Sequence, residues 1–312
     1  MTTPPTPNPN DRVRSAAARG EGEPPGEPRF GRTLALPHRG FAHGDLDDLW
    51  RPVRLRTGPA WSLFGVWYRH VRVYCKTLLA NITPPILEPL FFFTAVALGL
   101  GSYLAGERSF DGLPYSTFVA SGLIAASPMF TAVFETTFGT FVRLMFQKTY
   151  DAMLGTHLRL SEMFIGEMLF CATKGAVFST VVLLITMAFG VRPTGWCVLV
   201  PVIGFLTAYL FAAIGLIVTS YVKLITNFSF FTSGVITPLF FFSGTFFPIR
   251  GHYAWLDAVS FLVPLTHPIE LCRALFKADL NGATVWHLAA LAAWIAAGHL
   301  VALHRMRRRV LG

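Results

Sequence analysis

The chain has 312 residues, of which 53% are hydrophobic and 14% are charged, and its mean hydropathy is +0.51. A soluble domain has about 25% charged residues, so this composition excludes a soluble enzyme and predicts a polytopic membrane protein. The net charge of +9 is expected on cytoplasmic loops, and we expect no nucleic-acid partner. The four cysteines form no CxxC pair, so neither a disulfide framework nor a zinc site is predicted.

Residues 1–50 differ in composition from the rest of the chain. They are rich in proline and arginine and contain almost no apolar run, so they predict a disordered cytoplasmic tail. No apolar segment follows the start, which argues against a signal peptide. A docking role for this tail is the alternative interpretation.

Six segments are apolar enough to cross a hydrocarbon core of about 30 Å, which takes about 20 residues. Their apolar residues are continuous, whereas barrel strands alternate, so we predict an all-α fold with six transmembrane helices. The segments cover about residues 85–104, 115–142, 163–191, 196–222, 224–249 and 284–303.

The Lys and Arg residues near the span ends predict the orientation. Eleven lie on one side, including Arg69, Arg143 and Arg309, and five lie on the other side, including Arg273 and Lys277. The positive-inside rule places the first side, and both termini, in the cytoplasm.

The segment Trp61–Lys76 precedes the first span. Apolar residues such as Trp61, Phe64 and Tyr68 recur at helical spacing, and basic residues such as Arg69 occupy another face. This pattern predicts a basic amphipathic helix in the headgroup layer. Packing against another protein surface is the alternative.

The loop from Arg143 to Arg159 joins spans two and three on the cytoplasmic side. It contains no proline, and several of its residues fall at helical spacing: Tyr150, Met153, Leu154 and His157. A short helix that rests on a cytoplasmic partner and a plain connecting turn are equally compatible with these residues.

Between spans five and six, two apolar stretches, 258–265 and 268–276, are too short to span. We expect Pro264 and Pro268 to break them, which predicts a short re-entrant or surface hairpin on the outer side.

Within this predicted hairpin, Glu270 and Arg273 are one helical turn apart, so a local ion pair is predicted, with substrate contact as the alternative. His267 has no second ligand near it in the sequence, and no metal site is predicted.

Ionisable residues inside spans are costly, at about 2.5–3.5 kcal/mol each near the centre. There are four candidates: Glu88, Glu135, Glu167 and Lys174. Glu167 and Lys174 share a helix face about 10 Å apart, so each needs a partner elsewhere. Glu88 and Glu167 lie close enough to the inner boundary for a snorkelling or capping role. Contact between helices is the favoured interpretation, and substrate contact is the alternative.

An ordered series of motifs resembles the type-2 ABC exporter permeases. It includes Leu87-Glu-Pro-Leu, Tyr150-Asp-Ala-Met-Leu-Gly-Thr, Gly166-Glu-Met and Pro264-Leu-Thr-His-Pro-Ile-Glu-Leu-Cys-Arg273. Their order and spacing are most similar to nodulation-factor (lipo-chitooligosaccharide) exporter permeases and more distantly to daunorubicin-type drug exporters. The resemblance covers about residues 60–310, which are then a permease transmembrane domain.

The resemblance implies a permease subunit, not an enzyme, that exports an amphipathic cargo across the inner membrane. The cargo would be a lipid-linked or lipo-oligosaccharide or a hydrophobic drug. A second permease copy and a separate cytoplasmic ABC ATPase are the implied partners, with ATP and Mg on the ATPase and no cofactor on this chain. No glycine here precedes a lysine, so the chain has no P-loop of its own.

The resemblance also makes the loop after span two an ATPase-coupling helix, with these candidate residues: Lys148, Thr149, Tyr150, Asp151, Met153, Leu154, His157 and Arg159. It matches Trp61–Lys76 to an inner-surface connecting helix and the segment after Pro248 to an outer re-entrant hairpin. The rival interpretation is a secondary transporter that is driven by an ion gradient and uses Glu135, Glu167 and Lys174.

Overall fold

The computed structural model describes residues 58–77, 87, 90–100, 110–156, 158–248 and 260–311. All the named elements within these ranges are helices, accompanied by one isolated bridge between Phe110 and Leu113. In chain order the helices are α1 (Pro59–Lys76), α2 (Thr94–Leu100), α3 (Tyr115–Phe146), α4 (Thr149–Leu154), α5 (Leu160–Ala188), α6 (Gly195–Tyr221), α7 (Asn227–Phe241), α8 (Thr266–Lys277) and α9 (Gly282–Leu311).

Four of these helices, α3, α5, α6 and α9, are long and apolar enough to cross a membrane. They confirm the second, third, fourth and sixth predicted spans. Helix α3 continues to Phe146, four residues beyond the predicted end of span two. Arg143 therefore lies inside this helix, and its predicted place in the following loop was wrong.

The other two predicted spans stay predictions. For the first span, the structure describes α2 and a few residues before it. In the fifth, α7 stops at Phe241 although the apolar sequence continues to residue 249. The chain turns there, with Gly244 at a φ of 83°. At 1.5 Å per residue, α7 is about 22 Å long, shorter than the hydrocarbon core.

Helices α3, α5 and α6 pack against one another and form the centre of the described bundle. Small residues allow the close approach of α5 and α6. A Cβ on Gly175 would lie 2.2 Å from the Ala208 Cβ, and one on Gly204 would lie 2.1 Å from the Ser179 Oγ. Such contacts are typical of membrane helices, which associate by close van der Waals packing.

Helix α9 packs on α6, and its last turn also covers the end of α6. Arg309 Nη1 donates hydrogen bonds to the carbonyl of Thr219 and, at 2.6 Å, to that of Val222. The last carbonyls of a helix have no partner within it, so the C-terminal arginine of one helix caps another.

Helix α1 packs on α5 through a face that contains Ser62, Val66 and His70, all buried. The aromatic face is turned away from this contact: Trp61 is 69% exposed, and Phe64 and Tyr68 are each 51% exposed. The structure therefore places the predicted apolar face outside the described bundle. Its position in the headgroup layer stays a prediction.

Helix α8 packs on α3 and α9 and contains the second of the two short apolar stretches. Pro268 does not break it, contrary to the sequence-based expectation. The helix begins at Thr266, so Pro268 lies in the first turn, where its missing N–H has no partner to lose. The helix ends at Lys277, and the next residue, Ala278, has a φ of 56°. The re-entrant hairpin itself stays a prediction.

Candidate functional site

Helix α4 lies directly after α3, and one of its faces is turned into the bundle. Lys148, with a φ of 47°, makes the sharp turn between the two helices. Tyr150 and Met153 are buried, whereas Asp151 and Ala152 on the other face are exposed. A six-residue helix is too short to be stable alone, so its inward side chains must hold it in place.

Glu167 on α5 is the main anchor for α4. Its Oε2 accepts a hydrogen bond of 2.5 Å from the Tyr150 hydroxyl. Its Oε1 accepts hydrogen bonds of 2.5 Å from Arg143 Nη2 and from Thr140 Oγ1, both on α3. Glu167 is fully buried, so its expected snorkelling or capping role was wrong. The favoured interpretation, contact between helices, is confirmed, because the carboxylate joins three helices.

Glu135 on α3 completes the arrangement. Its Oε1 accepts a hydrogen bond of 2.9 Å from Arg143 Nη1, and its Oε2 accepts one of 2.9 Å from Lys174 Nζ on α5. We call Glu135, Arg143, Glu167 and Lys174 the four-charge cluster. Two acids balance two bases, which removes most of the penalty of burying any one of them.

The cluster lies where α3 departs from regular α-helical geometry. Glu135–Gly139 and Val142–Phe146 are π-helical, and Glu135 and Arg143 each fall within one of these stretches. Such widened turns are frequent at functional sites. The π-helical turns, the four-charge cluster and α4 therefore all lie at the same end of the bundle.

Tyr150 is a neutral hydrogen-bond donor. Burial raises the pKa of its phenol well above the usual 10, and the adjacent negative charge of Glu167 raises it further. The neutral phenol can donate to the carboxylate, whereas a phenolate would repel it. The link between α4 and α5 therefore persists across the physiological pH range.

The candidate residues from the sequence divide between this site and its surroundings. The structure brings together Tyr150, Glu135, Glu167 and Lys174, and it gives Glu167 and Lys174 the separate partners that their spacing requires. Lys148, Asp151 and Arg159 are exposed, and Thr149 and Leu154 are half-buried. Glu88 and His157 lie outside the described residues.

The residues that the sequence analysis missed here are Arg143 and Thr140. Arg143 was assigned to a loop because a charge usually ends an apolar segment. The available signal was the presence of two acids, Glu135 and Glu167, in neighbouring spans. Buried acids need a basic partner, and Arg143 follows Glu135 by eight residues.

At the opposite end of the bundle, the predicted pair between Arg273 and Glu270 is confirmed at 3.0 Å. Arg273 Nη2 also donates to the Gly244 carbonyl at 2.5 Å, and the guanidinium carbon lies 3.7 Å from the centre of the Phe118 ring. These contacts join α8 to α3 and to the turn after α7. Substrate contact by Glu270 or Arg273 stays a prediction.

His267 has a histidine neighbour that the sequence did not reveal. Its Nδ1 lies 3.0 Å from Nδ1 of His287 on α9, a residue 20 positions later in the sequence. Within the residues that the structure describes, no group of three or more His, Cys, Asp or Glu side chains is placed to hold a metal ion.

The sequence of this chain is similar to those of known proteins. Residues 63–276 match the ABC-2 type transporter family. The chain is 32% identical over 253 residues to Nodulation protein J of Sinorhizobium fredii (strain NBRC 101917 / NGR234), covering 80% of this chain and 95% of that protein. It is 33% identical over 257 residues to Nodulation protein J of Rhizobium leguminosarum bv. trifolii, covering 81% and 96%. Over 247 residues it is 22% identical to Inner membrane transport permease YadH of Escherichia coli (strain K12), covering 79% and 95%.

Proposed function

Because this chain belongs to the ABC-2 type transporter family, we propose that it is the permease subunit of an ATP-powered exporter. It spans the plasma (inner) membrane several times, with both termini in the cytoplasm. A separate ABC ATPase, which binds ATP and Mg, supplies the energy, and two copies of the permease form the path. The cargo is amphipathic: a lipid-linked or lipo-oligosaccharide, or a hydrophobic drug.

The observation that carries the proposal is the link between Tyr150 on α4 and Glu167 on α5. Through Glu167, Arg143 and Glu135, α4 is tied to both α3 and α5 by buried hydrogen bonds and ion pairs. A displacement of α4 must either break these contacts or move the two long helices with it. Breaking the contacts would leave a buried charge without its partner, so the helices are expected to move with α4.

The exposed face of α4 supplies the surface for the ATPase. Tyr150 and Met153 are buried within this chain, so the contact falls to Asp151, Ala152 and the following Gly155 and Thr156, which are exposed. This division gives each face of α4 one task. The outer face receives the movement of the ATPase, and the inner face transmits it to the spans.

The driving energy comes from nucleotide binding on the partner. A ligand shifts a conformational equilibrium only as far as its affinities for the two states differ. ATP must therefore favour the arrangement in which the two ATPases approach each other and displace α4. The cytoplasmic position of α4 in this scheme agrees with the excess of Lys and Arg at the same end of the bundle.

The test uses the chain reconstituted in vesicles with its partner ABC ATPase. We expect cargo transport that requires ATP. Asp151→Arg, on the exposed face of α4, should separate ATP hydrolysis from transport and leave folding unchanged. The matched control is Asp279→Arg, which makes the same charge change at an exposed site between α8 and α9, and it should retain transport. Transport by the permease alone, driven by a proton gradient, would establish the rival mechanism.

A further inference from the structure

A cavity of about 390 Å³ lies between α1 and α3, beside the four-charge cluster. Its lining includes Arg69, His70 and Tyr74 from α1 and Glu135 and Arg143 from α3, while Phe170 of α5 closes one side. Since a water molecule occupies about 30 Å³ in the liquid, the space is large enough for a group of several non-hydrogen atoms.

Three buried polar atoms of the cavity-lining residues have no hydrogen-bond partner among the residues that the structure describes: His70 Nε2, Tyr74 Oη and Arg143 Nε. His70 is only 5% exposed. Buried polar atoms are almost always hydrogen-bonded, and each one left without a partner carries a desolvation cost of about 1–3 kcal/mol. All three atoms are covered by protein atoms in this structure, so a polar ligand in the cavity reaches them only after the neighbouring side chains move.

The hydrogen-bond roles of two of these groups follow from their surroundings. His70 Nδ1 lies 2.9 Å from the Val66 carbonyl. Because a carbonyl only accepts, Nδ1 carries the proton and Nε2 of the neutral ring is an acceptor. Burial lowers the pKa of His70 and so favours this neutral ring. Burial also raises the pKa of Tyr74 to about 12, so its hydroxyl keeps its proton and can donate.

The charge of the cavity is positive. Both oxygens of Glu135 are already bonded to bases, Arg143 and Lys174, so this carboxylate does not oppose an anion strongly. Arg69 adds a positive charge on the wall. Helix α1 also carries Arg72 and Lys76 and contains no acidic residue. The ligand is therefore an anion that accepts from Arg69, Tyr74 and Arg143 and that has a hydroxyl to donate to His70.

We propose that this cavity binds the phosphodiester headgroup of an anionic, hydroxyl-bearing phospholipid in the inner leaflet, with phosphatidylglycerol as the simplest example. The phosphate lies near Arg69 and the donors of Tyr74 and Arg143, and a headgroup hydroxyl donates to His70 Nε2. The exposed aromatic face of α1 holds the cavity at headgroup depth. The proposal rests on the predicted surface position of α1 and is independent of the ATPase and of the cargo.

Two other headgroups fit less well. A phosphatidylcholine headgroup has no hydrogen to donate to His70, and its trimethylammonium group is repelled by Arg69. Phosphatidylethanol has the phosphodiester but lacks a hydroxyl, so it separates the contribution of the phosphate from that of His70.

The test uses phospholipids that carry a spin label on an acyl chain. Electron paramagnetic resonance measures their association with the purified full-length protein in phosphatidylcholine vesicles. We expect phosphatidylglycerol to bind about fivefold more tightly than phosphatidylethanol, as one neutral hydrogen bond predicts. Soluble glycerophosphoglycerol should compete only at far higher concentration. Competition at the same concentration would contradict the proposal that the ligand is a bilayer lipid. Equal binding of the two anionic lipids would contradict the hydroxyl contact with His70.

Variants distinguish a defined site from diffuse attraction to a basic helix. Arg69→Gln should weaken phosphatidylglycerol binding about tenfold or more, since it removes a charged donor from the wall. Arg72→Gln makes the same charge change on the same helix outside the cavity lining and should alter binding less than about twofold. Tyr74→Phe, which changes no charge, should weaken binding about fivefold. An equal loss with Arg69→Gln and Arg72→Gln in folded protein would overturn the proposal.

Discussion

The hydroxyl of Thr219 on α6 donates a hydrogen bond of 2.7 Å to the carbonyl of Thr136 on α3. Thr136 lies inside the first π-helical stretch, where the backbone ladder is irregular and a carbonyl can be left without its usual partner. Both residues are fully buried. A side chain from one spanning helix thus satisfies the main chain of its neighbour at the level of the four-charge cluster.

Thr219→Val should therefore lower the free energy of unfolding by about 0.5–1.5 kcal/mol, because it removes the donor of a buried hydrogen bond between two helices. Unfolding in mixed micelles measures this change. Thr180→Val is the control: its hydroxyl bonds within its own helix, to Ala176, so the change should stay below about 0.5 kcal/mol. Equal effects of the two substitutions would show that the interhelical bond has no special weight.

The contact of α1 with α5 depends on the absence of a side chain at Gly166. A Cβ there would lie 2.7 Å from Val66 Cγ1, so Gly166→Ala should displace α1 and destabilise the protein by about 1–3 kcal/mol. Val66→Ala in the same chain removes the Cγ1 contact but leaves the Val66 Cβ 2.8 Å from the added Cβ, so it should restore only part of the loss. Thermal unfolding of both single variants and the double variant gives their coupling energy.

Gly65→Ala is the matched control for this experiment, since no atom of the described part of the chain lies within 4 Å of a Cβ at that position. It should be neutral, or stabilising by up to about 1 kcal/mol through helix propensity. A loss as large as that of Gly166→Ala would contradict a packing explanation.

Tyr150→Phe should weaken the attachment of α4 and reduce the cargo transported per ATP hydrolysed. The lost bond has a charged acceptor, so stability should fall by about 1.5–3 kcal/mol. Because the pKa of Tyr150 is raised, its stabilising contribution is fully present below the ordinary phenol pKa of about 10 and is lost only as the pH rises through the higher folded value. The stability difference from the unmodified protein should stay constant between pH 6 and pH 9. A decline within that range would show that the phenol ionises earlier.

Deletion of residues 2–45 should leave ATP-dependent transport largely intact. The composition of residues 1–50 predicts no packed core, and the contacts that the structure describes for α1, α4 and the spans are made by residues after 58. Transport assays on vesicles with matched protein content measure the effect. Complete loss of transport with normal membrane insertion would assign a required role to the tail.

Hydropathy was sufficient to predict the four long helices. Residue spacing was sufficient to predict that Glu167 and Lys174 have separate partners. They could not identify those partners, because the Glu135–Lys174 pair joins residues 39 positions apart. They also placed Arg143 in a loop. A charged residue at the end of an apolar run looks the same in the sequence in two cases: the helix ends there, or the helix continues and the charge is buried in an ion pair.

The turn after α7 and the neighbour of His267 were hidden for related reasons. The apolar run continues past Phe241, so composition cannot show that the chain turns at Gly244. His267 and His287 are 20 residues apart on different helices, and only the packing of α8 on α9 brings their rings together. Local periodicity predicts the face of a helix, whereas the meeting of two faces depends on the tertiary arrangement.

The hydrogen bonds from Arg309 to the end of α6 determine which C-terminal truncations and tags the protein should tolerate. A tag placed after Gly312 leaves the bonds to Thr219 and Val222 untouched. A chain shortened by only four residues would uncover carbonyls of a helix that ended almost ninety residues earlier. The last basic turn, which the sequence predicts to be a topology signal, therefore also caps the end of a neighbouring helix.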